Sequence, residues 1–424
     1  MDVVLLFIVL FVCITLTVPV GFSLGLASIV VFFLYSDVPL TLVAQSSVTG
    51  VDSFPMMAIP FFIMAGVVMS LGGVAKRLVN VANALIGHVT GGLSIVTTLA
   101  CMFFGSISGS ASATTSAIGG FMIPEMKKHG YDAPFAATIS ACAGTIGLII
   151  PPSLSFVIYG VVTNTSITEL FIAAIIPGIL MGVALSIVCY FYSKKSGYLG
   201  GPRSTFKQTM ATIWDAKWSL MAPVIILGGI YSGIFTPTEA AVTAIVYSIF
   251  VGMFIYRELN FQKLYQCAVE SMALNGMIMF MLGLATVFAK YVTLVHVPLK
   301  IVTFITNFTD SGLVILLLLN VFLLLIGCIM DNIPAIIVLA PIMLPLATQA
   351  GLDPVQFGIM IVLNTTIGLV TPPYGPNLFI GASIAGTKME RMMKPLLPMI
   401  LSLIVILAIV TYIPQISTIF LNRP

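Results

Sequence analysis

Long apolar stretches separated by short polar clusters run the length of this chain. A helix needs about 20 apolar residues to cross ~30 Å of hydrocarbon. Stretches of that order lie at 3–16, 20–35, 54–73, 168–193, 218–235, 238–256, 266–289 and 395–413. Two further regions, 93–162 and 313–385, are equally apolar but are interrupted by Gly, Ser, Asn and Pro where a plain spanning helix would continue. Each is expected to hold a re-entrant hairpin followed by a broken helix: hairpins at 93–127 and 313–347, broken helices at 134–162 and 355–385. The pattern predicts an all-α polytopic protein, one membrane domain over 1–424, with related halves at 1–193 and 218–413.

Composition agrees with that pattern. Of 424 residues 59% are hydrophobic and 7% charged, against roughly 25% charged in a soluble chain. A water-facing enzyme is thereby excluded. Seventeen Lys and Arg against fourteen Asp and Glu are too balanced and too scattered to read phosphates, so no nucleic acid is expected as partner. The six cysteines form no CxxC pair and the three histidines are dispersed, which supplies neither a disulfide framework nor a transition-metal site. Asp2 stands where a signal peptide would carry a base, so the N-terminus reads as a retained spanning helix.

An internal repeat lies beneath the pattern. Shifted by 221 positions, residues 122–180 align with 343–401 without a gap and give fifteen identities in 59 positions. Among them are Gly130/Gly351, Asp132/Asp353, Glu169/Glu390 and the string Thr-Ile-Gly-Leu-x-x-Pro-Pro at 145–152 and 366–373. Basic loops at Lys127-Lys128-His129, at 194–217 and at Lys388, Arg391 and Lys394 fall on one side only if the two copies have opposite topology. By the positive-inside rule that side is cytoplasmic and the N-terminus periplasmic. Lys76, Arg77, Trp214, Lys217 and Trp218 read as anchors at the membrane interface.

The interruptions carry the candidate chemistry. A break in a helix at membrane depth survives only where something satisfies the freed backbone groups. Pro151-Pro152 and Pro372-Pro373 lack N–H donors, which frees the carbonyls of Gly147, Leu148, Gly368 and Leu369. The glycines let a small cation approach. Each break follows a hairpin with a polar tip: hydroxyls from Ser106 to Ser116 in the first, Asp331-Asn332 in the second. Ser110 and Asp331 correspond at the common offset. Hard oxygen donors of this kind suit Na+, and helix starts behind the tips favour an anionic substrate. Ser108-Gly109-Ser110 lacks the neighbouring base an intramembrane hydrolase would need.

With these motifs, and with Phe54-Pro-Met-Met-Ala-Ile-Pro60, Phe235-Thr-Pro-Thr-Glu239 and Asp331-Asn-Ile-Pro334, the whole chain resembles the large membrane subunit of the tripartite ATP-independent periplasmic (TRAP) transporters. The resemblance implies an elevator, in which the hairpins and broken helices slide against a scaffold. It implies Na+ as coupling ion, a periplasmic substrate-binding protein, and a small four-helix membrane subunit. That subunit is expected as a separate polypeptide here. By similarity one Na+ site maps to Ser108, Ser110, Gly147, Ile150 and Pro152, and a second to Gly327, Asp331, Gly368, Thr371 and Pro373. Ser112, Ser153, Asn364 and Thr366 are the expected substrate contacts. The resemblance points first to a sialic acid. C4-dicarboxylates or other sugar acids, or a one-component Na+/carboxylate symporter, are the alternative readings.

Overall fold

A bilayer accepts a spanning segment only if its backbone is hydrogen-bonded internally, and the computed structural model meets that demand with helices; among the described residues there is no strand. The structure describes residues 2–421 except 17, 36–38, 40, 308, 310 and 374. Tyr374, beside the second double proline, therefore lies outside the described residues.

The two interrupted regions fold as hairpin plus broken helix. The first hairpin is Gly92–Ser108 and Ala111–Lys128, followed by Ala133–Gly144, a 3-10 turn at Thr145–Leu148 and the short helix Leu154–Thr163. The second is Gly312–Gly327 and Asn332–Gln349, followed by Pro354–Gly368 and Pro376–Ala385. Both double prolines hold cis bonds, Pro151-Pro152 and Pro372-Pro373. Identities in the repeat have local causes. Gly130 and Gly351 take φ of +82° and +95° in the turns that join hairpin to broken helix, a region open to glycine at no steric cost. Asp132 and Asp353 sit at the N-caps of the helices that follow, and the Asp353 carboxylate accepts from the Val355 N–H at 2.8 Å.

Packing sorts the helices into two units. The hairpins and broken helices pack on one another and on Ile167–Ser196 and Met389–Tyr412. Every residue from Val355 to Gly368 is buried, including the polar Gln356, Asn364, Thr365 and Thr366. Around this inner unit stand Asp2–Thr15, Val20–Tyr35, Ala58–Leu71, Lys217–Tyr231, Pro237–Phe250 and the 34-residue Phe261–Leu294. Only 28% of the most apolar window of Phe261–Leu294 is buried, against 67% for Asn332–Gln349; the long helix presents most of its surface outward and the hairpin helix does not.

Several boundaries differ from the sequence reading. The span expected at 266–289 extends to Phe261–Leu294, and the span expected at 54–73 opens with a 3-10 turn at Phe54–Met57. The connection 194–217 contains a helix, Phe206–Asp215, set 61° from the span that follows it. Arg77 is no free lipid anchor: it pairs with Glu258 at 2.7 Å and stacks 3.6 Å over the Tyr256 ring, tying Val74–Ile86 to the segment before the long helix. Glu239 completes a capping box with Thr236 at the start of Pro237–Phe250.

The three basic loops meet at one end of the molecule. Lys127 Nζ donates to the Ala385 carbonyl at 3.0 Å, and the Asp132 N–H donates to the Tyr198 hydroxyl at 3.1 Å. Tyr131 and Tyr198 stack there with centroids 4.2 Å apart. Burial pushes the Tyr131 phenol up to about 12, so this stack stays neutral at any physiological pH.

Candidate functional site

The tips of both hairpins face one cavity of about 660 Å3 between the inner and outer units. Ser108, Ser110, Ser112, Asp331 and Asn332 line it from the inner unit; Val20, Gly66 and Met277 line it from the outer one. Four helices of the inner unit begin on its wall, beside the start of Val20–Tyr35 from the outer unit. Ala111, Leu154, Asn332 and Pro376 are the first residues of their helices, and all four border the cavity. A helix start carries unpaired N–H groups and a partial positive charge of roughly half a unit, so the arrangement concentrates positive potential where no Lys or Arg stands among the lining residues.

Each tip rests on the break of its own repeat through paired glycines. A Cβ on Gly105 would lie 2.6 Å from Gly147 Cα, and one on Gly327 would lie 3.3 Å from Gly368 Cα. Backbone meets backbone in both places, and a side chain would force them apart. Ser110 and Asp331 occupy equivalent places as N-caps of the second hairpin helices. The Ser110 hydroxyl accepts from Ala113 N at 3.4 Å, and Asp331 Oδ1 accepts from Asn332 N at 2.7 Å.

Around the first tip the oxygens come from hydroxyls and main chain. Ser108 Oγ and Thr114 Oγ1 are 2.9 Å apart, and Thr114 donates to the Ser110 carbonyl at 2.7 Å. A Cβ on Gly147 would sit 3.0 Å from that same carbonyl, so Ser108, Ser110 and Gly147 do converge. Pro152 meets the tip through its own carbonyl, which faces Gly109. Ile150 instead points toward Gly178 on Ile167–Ser196. Around the second tip, Gly327 packs on Gly368 and Asp331 caps the helix that follows, while the Thr371 hydroxyl donates to the Ile367 carbonyl at 2.8 Å and Pro373 is exposed.

The freed carbonyls are less bare than the sequence implies. Ser153 donates to the Leu148 carbonyl, the Thr371 N–H to Gly368 at 3.0 Å and the Asn377 N–H to Leu369 at 3.2 Å. The chain reverses so tightly after each break that its own donors return to these oxygens. A carbonyl has two lone pairs, which leaves one on each for a cation. The donor set at both breaks is oxygen throughout, and that fits a hard monovalent ion rather than a transition metal.

Of the four expected substrate contacts, only Ser112 lines the cavity. Ser153 is fully buried and engaged with Leu148. Asn364 is fully buried and donates to Asn320 Oδ1 at 2.8 Å and the Met360 carbonyl at 3.0 Å. Thr366 is buried too, with a hydroxyl that has no partner among the described residues. Ser153 and Asn364 thus serve contacts behind the cavity wall.

Other residues carry contacts that sequence spacing does not single out. Buried Asn332 accepts from Ser155 Oγ at 2.5 Å and donates to Thr365 Oγ1 at 2.6 Å. The second tip is thereby bonded to a helix of the first repeat and to its own broken helix. Asn377 Nδ2 reaches the Ala141 carbonyl at 3.4 Å in the opposite sense. The one available signal was that Asn332, Thr365 and Asn377 are amides or hydroxyls within apolar runs.

A multi-helical membrane protein with two hairpins meeting two broken helices at one cavity has the architecture of a secondary transporter. The family description "Tripartite ATP-independent periplasmic transporter, DctM component" matches residues 7–416, and the chain belongs to that family. Its relatives are permeases, not enzymes. It is 46% identical over 95% of its length to the isethionate TRAP transporter permease DctMQ of Oleidesulfovibrio alaskensis, of which it spans 64%. It is 41% identical to the C4-dicarboxylate large permease DctM of Pseudomonas aeruginosa, covering 93% of this chain and 92% of that one. The sialic acid large permease SiaM of Vibrio cholerae is 36% identical over 94% of this chain and 93% of its own. The YdaH transporter of Alcanivorax borkumensis has the same fold, with a TM-score of 0.66 at 15% identity over 91% of this chain and 90% of that one.

Proposed function

We propose that this chain moves a small organic anion inward across the bacterial inner membrane, driven by Na+, from the cavity between the hairpin tips. The observation that carries the reading is the convergence of four helix starts on a cavity whose lining includes Asp331 and no base. An organic acid entering there meets positive helix ends and one carboxylate that repels it. A cation bound at Asp331 removes the repulsion, so anion and cation favour each other's binding, which is what symport requires. The first ion rests among Ser108, Ser110, Thr114 and the Gly147 break, the second among Asp331, Gly327, Gly368 and the Thr371 break.

The inner unit is the moving part and the outer unit the scaffold, with the cavity at their boundary. The two repeats lie inverted in the membrane, with the cluster of basic loops cytoplasmic and the N-terminus periplasmic. A periplasmic binding protein delivers the substrate, and a small membrane subunit joins the exposed scaffold helices. Relatives named for isethionate and C4-dicarboxylates are 46% and 41% identical, above the 36% of those named for sialic acid. The substrate proposed is accordingly a two- to four-carbon sulfonate or carboxylate, with a sialic acid as the second reading.

Co-reconstitution of the three components in liposomes tests this. Uptake of labelled isethionate or succinate should need both an inward Na+ gradient and the binding protein, with sialic acid a weaker competitor. Uptake that persists after the Na+ gradient is collapsed contradicts the coupling, and uptake by this chain alone contradicts the tripartite arrangement.

A further inference from the structure

The helix Phe206–Asp215 is stable at its start, where Thr205 and Gln208 form a capping box, yet none of its ten residues is buried. Phe206, Met210 and Trp214, spaced by four, are 80%, 47% and 69% exposed. That spacing places them in one stripe along the helix. Thr212 and Asp215 border a polar groove shared with Asn80 and Asn83 of Val74–Ile86. The helix thus leaves an apolar stripe of Phe206, Met210 and Trp214 facing away from the protein, where a helix bathed in water would present polar residues. Its axis is set 61° from the span Lys217–Tyr231, as expected of a segment lying along the membrane surface where a span emerges.

Charge identifies what covers the stripe. Between 194 and 217 stand Lys194, Lys195, Arg203, Lys207 and Lys217 against the single acid Asp215, and Asp215 approaches Arg77 at 3.8 Å. Lys194, Lys195, Arg203 and Lys207 are exposed. Lys217 Nζ stands 3.8 Å over the Trp214 ring and 5.5 Å from that of Trp218. Indole rings settle at headgroup depth, and clustered bases beside them meet lipid phosphates. We infer that Phe206–Asp215 lies in the bilayer interface and that Arg203, Lys207 and Lys217 form a contact for anionic phospholipid headgroups. The contact fixes the outer unit to the leaflet on the side of the basic loops.

Trp214 and Trp218 are the only two tryptophans in the chain, so its tryptophan fluorescence reports on this segment alone. The purified full chain is reconstituted at low salt in vesicles doped with brominated phosphatidylglycerol or, at equal mole fraction, brominated phosphatidylcholine. Both should quench, the anionic lipid more strongly by about twofold or more. An Arg203→Gln/Lys207→Gln/Lys217→Gln variant should keep the quenching and lose the preference. Equal quenching by the two lipids, or a preference unchanged in the variant, overturns the proposal. So does an absence of quenching, which would put protein over the stripe instead of lipid.

Discussion

The two hairpin tips share a backbone plan and differ in chemistry. Both end in a capped helix start, and both press a glycine against the glycine of a double-proline break. The first tip, however, is neutral and bonded mainly within itself, Ser108 to Thr114 and Thr114 to the Ser110 carbonyl. The second carries a carboxylate, and through Asn332 it is bonded to both repeats. Repetition supplies a symmetric frame, and the equivalent positions 110 and 331 carry a hydroxyl in one half and a carboxylate in the other. The second tip should therefore be both the stronger ion site and the mechanically stiffer one.

The most severe test is Asp331→Asn. Asp331 is the carboxylate that lines the cavity, and a contact with a charged group is worth about 1.5–3 kcal/mol, so the Na+ concentration for half-maximal uptake should rise about tenfold to a hundredfold while the protein still folds. A shift no larger than that of Ser108→Ala would erase the distinction between the tips. Next in size is Asn332→Ala, which strips Ser155 of its buried acceptor and should destabilise the protein by about 1–3 kcal/mol, read as a lower thermal midpoint in detergent. Thr114→Ala, whose bonds stay inside one hairpin, should cost less.

Two glycine substitutions sharpen the comparison further. A Cβ on Gly368 would run into the Gly327 main chain, whereas one on Gly147 would meet the Thr114 hydroxyl at 2.5 Å and a main-chain atom, the Ser110 carbonyl, only at 3.0 Å. A hydroxyl can rotate away and a main-chain carbonyl in a helix cannot. Gly368→Ala should therefore destabilise the protein by about 1–3 kcal/mol, the cost typical of overpacking, read as a lower yield of monodisperse protein, and Gly147→Ala by less. Smallest are Ser108→Ala and Thr371→Ala, each removing one neutral oxygen worth about 1 kcal/mol. Na+ titrations of uptake should shift a few-fold with expression unchanged, and identical titration curves would remove both residues from the ion sites.

Much of this frame was legible because its causes are local. Glycine at 130 and 351, aspartate at 132 and 353 and the double prolines each dictate a turn, a cap or a break within a few residues of themselves, and they recur at one offset. The partners of Asn332 were not legible, because Ser155 lies 177 positions away and Thr365 lies 33 away. No local rule connects them. Asn364 reads as a substrate contact for a related reason: a polar residue in an apolar helix announces that it needs a partner, not whether that partner is a ligand or Asn320. The helix Phe206–Asp215 is not legible inside a basic connection, because ten residues are too few to span.

One measurement reaches the central claim directly: a density map of the assembled transporter in Na+ with its organic acid bound. The account predicts acid density at the four helix starts Ala111, Leu154, Asn332 and Pro376, with ion density beside Asp331 and beside the Ser110 carbonyl. Acid found between the outer helices alone, or ions absent from both double-proline breaks, would contradict it.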